Sequence, residues 1–208
     1  MIGLSKIAVD IDDTLYDFGI KIREEFFKMA IEHNDKELLK GAYAPHLEWR
    51  SLSDSLDESI VREAIDRVHS HESIISQVPY ENSVRVLWEL VNSGHELMYI
   101  SNRDSRCWAS TVNWLLINEF PVDVQENNVH CVTGSKEDYL YDCQYIIDDR
   151  PSTVARFVNN RDWYYGDRKA FGLWFPYNQA LTDLDNVYLA PSWLGIEYYL
   201  KRKGVINA

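Results

Sequence analysis

Three short apolar runs in this 208-residue chain stop abruptly in polar clusters. Lys6–Val9 runs into Asp10-Ile11-Asp12-Asp13-Thr14, Leu97–Ile100 into Ser101-Asn102-Arg103-Asp104, and Tyr145–Ile147 into Asp148-Asp149-Arg150-Pro151. Runs so short, with no polar alternation, predict strands buried on both faces. Stretches of helical period separate them, so the strands must pair in parallel through helical crossovers. Parallel sheets of this kind place their sites beyond the carboxyl ends of the strands, where these clusters fall.

The rest of the chain fills in that scheme. Ile20, Glu24, Phe27 and Ile31 recur in one helical register, and Ile60, Val61, Ala64, Ile65 and Val68 in another. Gly41 to Ser55 between them reads as loop with a short helix. No strand-like segment interrupts this stretch before Pro79, which predicts a small helical insert over residues 18–79 in a core made of 1–17 and 80–208. Val84, Leu87, Trp88 and Val91 predict a helix capped by Gly94. Trp108, Thr111, Val112 and Leu115 predict another, ending before Pro121. A strand over Val129–Val132, the turn Thr133-Gly134-Ser135 and a helix over Lys136–Tyr141 follow, and short segments at Trp163–Tyr165 and Leu173–Phe175 precede a terminal helix near Trp193–Lys201. The fold class is α/β, with a Rossmann-like three-layer core and a mainly parallel sheet.

Composition narrows the partners. Lys and Arg total 21 against 33 Asp and Glu, a net charge of -12, which opposes an extended nucleic-acid surface while leaving room for a local positive pocket. The 46% of hydrophobic residues excludes an acidic disordered chain. Cys107, Cys131 and Cys143 are scattered, which suggests neither a disulfide framework nor a zinc site, and the six histidines, His69 and His71 included, show no metal-ligand spacing. No membrane-length apolar run and no signal-like start are seen, so the expected setting is cytoplasmic.

The strand-end clusters hold the chemistry. Asp10 and Asp12 flank Ile11 on one side of an extended backbone, and two carboxylates so placed repel unless a cation or proton holds them. Asp148-Asp149 at a second strand end would complete an oxygen-rich site suited to Mg²⁺. Each piece has a plainer reading: Asp12-Asp13-Thr14 as a turn with a helix cap, Ser101-Asn102 as an N-cap, Lys136 as a solvated first-turn residue, Asp148-Asp149-Arg150 as a loop salt bridge. Their joint occurrence, in order and in matching secondary context, favours a shared site.

Ile7-Ala-Val-Asp-Ile-Asp-Asp-Thr-Leu15 resembles the first motif of the haloacid dehalogenase (HAD) superfamily, apolar-Asp-x-Asp-x-Thr. Met98–Arg103 resembles the second motif, an apolar strand ending in Ser or Thr; Lys136 fits the third, a cation; Tyr145–Asp149 fits the fourth, an acidic pair. The resemblance implies that Asp10 is the nucleophile that forms an aspartyl-phosphate, and that Asp12, with its pKa raised, protonates the leaving oxygen and later activates water. It implies Mg²⁺ on the Asp10 side chain, the Asp12 carbonyl and Asp148-Asp149, with Lys136 and Ser101 on the phosphoryl group and Thr14, Phe18, Asn102 and Arg103 as further substrate contacts. Asp13 stands where many relatives carry Gly.

The helical insert falls where HAD proteins carry a C1 cap. Within the superfamily the chain is most similar to the 5′(3′)-deoxyribonucleotidase group: Phe18 matches their base-stacking Phe, and Phe175-Pro-Tyr-Asn178 with Trp193 resembles their closing segment. That implies a small (deoxy)nucleotide substrate. Aromatic side chains also offer a platform for a nucleobase, and Phe18, Tyr43 and Trp49 could form a base sandwich, although Tyr43 and Trp49 are favoured as core of the insert. Two alternatives remain open. Ser101-Asn-Arg103, Arg106, Thr111, Trp114-Leu115 and Ile147–Arg150 resemble the 3′-phosphatase domain of phage polynucleotide kinase, where Arg103, Arg106 and Arg150 would contact phosphate; a catalytically inactive HAD-fold binding module is the other. Trp193, Tyr198 and Tyr199 suit a homodimer contact or a docked helix equally.

Overall fold

The computed structural model describes residues 5–43, 56–160 and 167–207. Six strands, β1 (Lys6–Val9), β2 (Glu96–Ser101), β3 (Val129–Cys131), β4 (Tyr145–Ile147), β5 (Lys169–Leu173) and β6 (Val187–Ala190), form one sheet in the order β3-β2-β1-β4-β5-β6. Every pairing is parallel, with Ile7 opposite Leu97 on one side of β1 and opposite Tyr145 on the other. This is the doubly wound order whose direction of winding reverses between β1 and β4.

Side chains of period two divide the sheet between two apolar layers. Ile7, Val9, Tyr99, Ile147 and Phe171 face one, which also holds Leu87, Trp114, Ile196 and Leu200 from the helices α5 (Ser83–Asn92), α6 (Trp108–Ile117) and α9 (Trp193–Arg202). Ala8, Met98, Ile100, Ile146 and Ala170 face the other, closed by Leu140 of α7 (Glu137–Leu140), Val154 and Phe157 of α8 (Pro151–Asn159), and Leu181. Three layers result, as the strand pattern predicts. Gly94, with φ 93°, follows the end of α5 in the left-handed conformation that a helix terminus of this type needs.

Among the described residues between β1 and α5 lie four α-helices, α1 (Phe18–Glu32), α2 (Leu39–Ala42), α3 (Glu58–Val68) and α4 (His71–Ile75). Their buried residues, Phe26, Met29, Val61 and Val68 among them, join the first apolar layer. The α3–α4 end of this stretch is fastened to the core at three points: His71 Nδ1 lies 2.9 Å from Ser110 Oγ, the Cys107 thiol donates to the His69 carbonyl at 3.6 Å, and Trp114 Nε1 donates to the Gln77 carbonyl at 2.9 Å.

Several sequence expectations are corrected. α1 buries Phe18, Ile22, Phe26, Met29 and Ala30, so Ile20, Phe27 and Ile31 lie on its exposed face. Apolar residues occupy two faces of that helix, the second holding Ile20, Phe27 and Ile31, and period alone cannot choose the inner one. Trp88 and Trp108 are partly exposed, while Trp114 fills the interior. β6 and α8 are elements the sequence pattern did not suggest. Tyr43 is 74% exposed, neither core nor pocket wall. Trp193 is buried and donates its indole N–H to the Thr14 carbonyl at 3.0 Å, so the aromatics of α9 include a docked anchor, with Tyr198 left exposed. Trp49 and Trp163–Tyr165 lie outside the described residues.

Candidate active site

The adjacent carboxyl ends of β1, β2 and β4 bring Asp10, Ser101 and Asp148 to one place, beside the point where the winding reverses. Asp10, Asp148 and Asp149 are buried, and each offers a carboxylate oxygen within 4.8 Å of the others. Lys136 reaches in from the turn before α7; its Nζ donates to Asp10 Oδ1 at 2.6 Å and Asp148 Oδ2 at 3.0 Å. Burial would lower the Lys136 pKa, but Asp10 and Asp148 reverse this and hold the ammonium charged.

One cation does not balance three buried carboxylates. Burial, helped by Asp148 and Asp149, lifts the Asp10 carboxyl well above the ordinary range against the pull of Lys136. Burial, with Asp13 and Asp148 nearby, pushes Asp149 up to about 8. A hard divalent cation takes several carboxylate oxygens and would return these groups to their charged forms, so the donor set and its unrelieved charge both fit a metal ion.

The acidic pair Asp148-Asp149 is braced from behind. Asp149 accepts from Thr14 Oγ1 at 3.3 Å and from the Tyr177 hydroxyl, and its carbonyl accepts from Asn178 Nδ2 at 2.9 Å. Asp148 Oδ1 accepts the Arg150 amide at 2.8 Å. On β5, a Cβ at Gly172 would come within 2.5 Å of the Asp148 carbonyl oxygen, so only glycine lets the two strands approach this closely. Thr14 is fully buried and therefore orients Asp149 and does not line the pocket.

Asp12 has a different environment from Asp10. Its carboxylate accepts from Arg103 Nε at 3.2 Å and Nη2 at 2.9 Å, from Ser101 Oγ at 2.8 Å and from the Tyr16 hydroxyl at 2.6 Å. Burial would raise its pKa, yet the Arg103 guanidinium, then His69, hold it well below the ordinary value. This corrects the expectation of a raised Asp12 pKa, because sequence does not show that the guanidinium is fully buried against it. Arg103 also donates to Thr111 Oγ1 at 2.8 Å, and so stands behind Asp12 where a substrate contact was expected. Ser101, fully buried, likewise spends its hydroxyl on Asp12. Arg106 is exposed and paired with Asp104.

In front of these groups is a cavity of about 150 Å³. Asp10, Asp12, Asp13, Lys136 and Asp149 form its floor, and Asn102, Asp104, Arg150 and Tyr177 its rim on the core side. The insert contributes Phe18, Ile65, Asp66 and His69. The His69 ring packs on Phe18, centroids 5.5 Å apart, and its Nε2 lies 3.8 Å from Asp12 Oδ1. His69 and Tyr177 escaped sequence reasoning; the only signal was Tyr177 inside the Phe175–Asn178 segment. Asp13 takes φ 59°, the left-handed region that Gly, Asn and Asp tolerate, and its carboxylate accepts the Gly19 amide at 2.9 Å. Burial lifts its pKa to about 7.

No family model matches this chain. Among curated proteins it is 25% identical over 162 residues to one of Oceanobacillus iheyensis named "Putative nucleotidase OB0422", covering 73% of this chain and 80% of that protein. Among solved structures it is similar to a HAD family hydrolase of Deinococcus radiodurans, crystallised with bound phosphate and sodium, at TM-score 0.64 and 11% identity over 100% of this chain and 99% of that one. A haloacid dehalogenase-like family protein of Streptococcus pneumoniae matches at TM-score 0.61 and 17% identity, over 95% and 98% of the two chains. The chain therefore has the fold of the HAD hydrolases.

Proposed function

We propose that this chain is a Mg²⁺-dependent phosphomonoesterase that works through an aspartyl-phosphate on Asp10, with a (deoxy)nucleotide as substrate. The observation that carries the reading is the buried group of Asp10, Asp148 and Asp149 tied to Lys136 at the reversal point of the sheet. The names of the O. iheyensis relative and of the phosphate-bound D. radiodurans structure support it.

A dianionic phosphate enters a floor of carboxylates only with a cation present. When bound, the ion neutralises phosphoryl oxygens and keeps Asp10, Asp148 and Asp149 ionised. An Asp10 oxygen then attacks phosphorus, the bond to the leaving oxygen breaks, and that oxygen takes the proton held by Asp12. Lys136, next to Asp10, offsets charge as it develops. In the second step a water oxygen attacks the same phosphorus, the Asp10–phosphorus bond breaks, and Asp12 accepts the proton from water. Held as a carboxylate by Arg103, Asp12 is ready for that second task; negative charge from a bound phosphoryl group opposes Arg103 and lets Asp12 hold a proton for the first. The insert acts as the cap, with Phe18 and His69 presenting an aromatic wall to the leaving group.

Phosphate release from 5′- and 3′-(deoxy)nucleotides, with and without Mg²⁺ and with Asp10→Asn beside the wild type, tests the reading. Mg²⁺-dependent release lost in the variant is expected. Release that survives in Asp10→Asn overturns the mechanism, and release from sugar phosphates in preference to nucleotides overturns the substrate.

A further inference from the structure

We infer that a second phosphate of the same substrate binds in a groove contiguous with the catalytic pocket, between the turn before α7 and the first turn of α8. The inference rests on the phosphatase reading. The groove has a volume of about 410 Å³ and carries Arg150, Arg156 and the hydroxyl residues Ser135, Ser152 and Thr153 on its walls. Asn102, Lys136 and Arg150 line both cavities, so a ligand held by its scissile phosphate in one has its remaining part beside the other.

The charges on the two walls differ in sign. The catalytic pocket sets Asp10, Asp12, Asp13, Asp66, Asp104 and Asp149 against Lys136 and Arg150. Among its described lining residues the groove sets Glu137 against Arg150, Arg156 and Lys136, the last already paired with Asp10 and Asp148. In a chain of net charge -12 this is a place where an anion gains. Arg150 is oriented by donating from Nη1 to Asn102 Oδ1 at 3.1 Å, between the two cavities. Arg156 pairs with Glu137, but with these side chains 68% and 40% exposed the pair is weak and exchangeable for a phosphate. Arg150 gives α8 no side-chain cap, and first-turn amides such as those of Ser152 and Thr153 have no acceptor within the helix. Guanidinium groups, hydroxyls and these amides together match a phosphate monoester or diester.

The test compares a nucleoside 3′-monophosphate with the corresponding 3′,5′-bisphosphate and with a 3′-phosphorylated dinucleotide. A second phosphate should raise kcat/KM about tenfold through KM. Preference for the bisphosphate identifies a terminal phosphate in the groove, and preference for the dinucleotide a diester. Arg156→Gln should abolish the advantage and leave the monophosphate rate unchanged, whereas Glu137→Gln, which frees Arg156, should enlarge it. An ion pair of purely structural value predicts the same direction for both variants. Equal kcat/KM for one and two phosphates in the wild type overturns the subsite and leaves the phosphatase standing. If no phosphate is released at all, the phosphatase reading fails; calorimetric titration with the bisphosphate then decides the subsite, which falls if Arg156→Gln binds as tightly as wild type.

Discussion

Arg103 is wholly enclosed, with Asp12 accepting from two of its nitrogens and Thr111 from a third. Truncating one partner of such a pair leaves an uncompensated charge in the interior, so Arg103→Met should lower the unfolding free energy by about 3–5 kcal/mol, read from urea denaturation. Arg103→Lys should recover little of this, since an ammonium cannot reproduce the planar fork. Asp10→Asn, in contrast, removes a carboxylate from an overcharged cluster; it should fold normally by circular dichroism while phosphate release drops to background. Asp10, Asp12, Lys136, Asp148 and Asp149 are legible in the sequence because each stands at a strand end or in the turn that follows one. The opposite fates of Asp10 and Asp12 are not legible, because they depend on which cation the folded chain buries beside each. His69 was invisible for a related reason: it is a lone histidine until the packing of α3 sets it against Phe18 and Asp12.

Among the elements, β5 determines how closely the acidic pair can be held. Gly172→Ala would drive a methyl group against the Asp148 carbonyl, with the backbone of β4 as the group that must yield. The expected result is a loss of metal affinity larger than the loss of stability, measured by Mg²⁺ titration of the thermal midpoint beside urea unfolding; unchanged affinity would show that β4 tolerates the shift. Strands β1, β2 and β4 were readable because burial on both faces leaves unbroken apolar runs. β6 was not: it is an edge strand of four residues, Val-Tyr-Leu-Ala, with two of them only partly buried, and nothing in so short a run separates it from loop. The inner face of α1 is hidden among two apolar faces, and its packing against α2, α3 and the 3-10 turn Lys36–Leu38 resolves which is inner.

For the whole molecule, the buried acids make stability depend on pH in a direction opposite to the usual carboxylate. Asp13 and Asp149 ionise at 3.8 when exposed and at about 7 and about 8 in the fold. Between those values the folded state binds more protons than the unfolded one, so these groups make stability fall as pH rises from about 4 to about 8. Asp12 acts in the other sense, with its contribution lost only as pH falls below 3.8 through its lowered folded value. A divalent ion that prefers ionised ligands should reverse the alkaline trend. The rise in thermal midpoint on adding Mg²⁺ should therefore be larger at pH 8 than at pH 6, and a rise independent of pH would place the ion elsewhere.

The thiol contact between Cys107 and the His69 carbonyl gives the molecule a built-in chemical clock. Any motion that lifts the α3–α4 end of the insert from α6 must break this contact, and Cys107, itself nearly buried, would then meet solvent. Cys143 is fully enclosed, with burial lifting its thiol to about 12, and stays silent on that timescale; a Cys131→Ser background removes the third sulfur. The rate at which Cys107 reacts with a thiol reagent then counts the openings of this contact, and a phosphate analogue that holds the α3–α4 end against α6 should slow it. Turnover and breathing become separately measurable in one unlabelled protein.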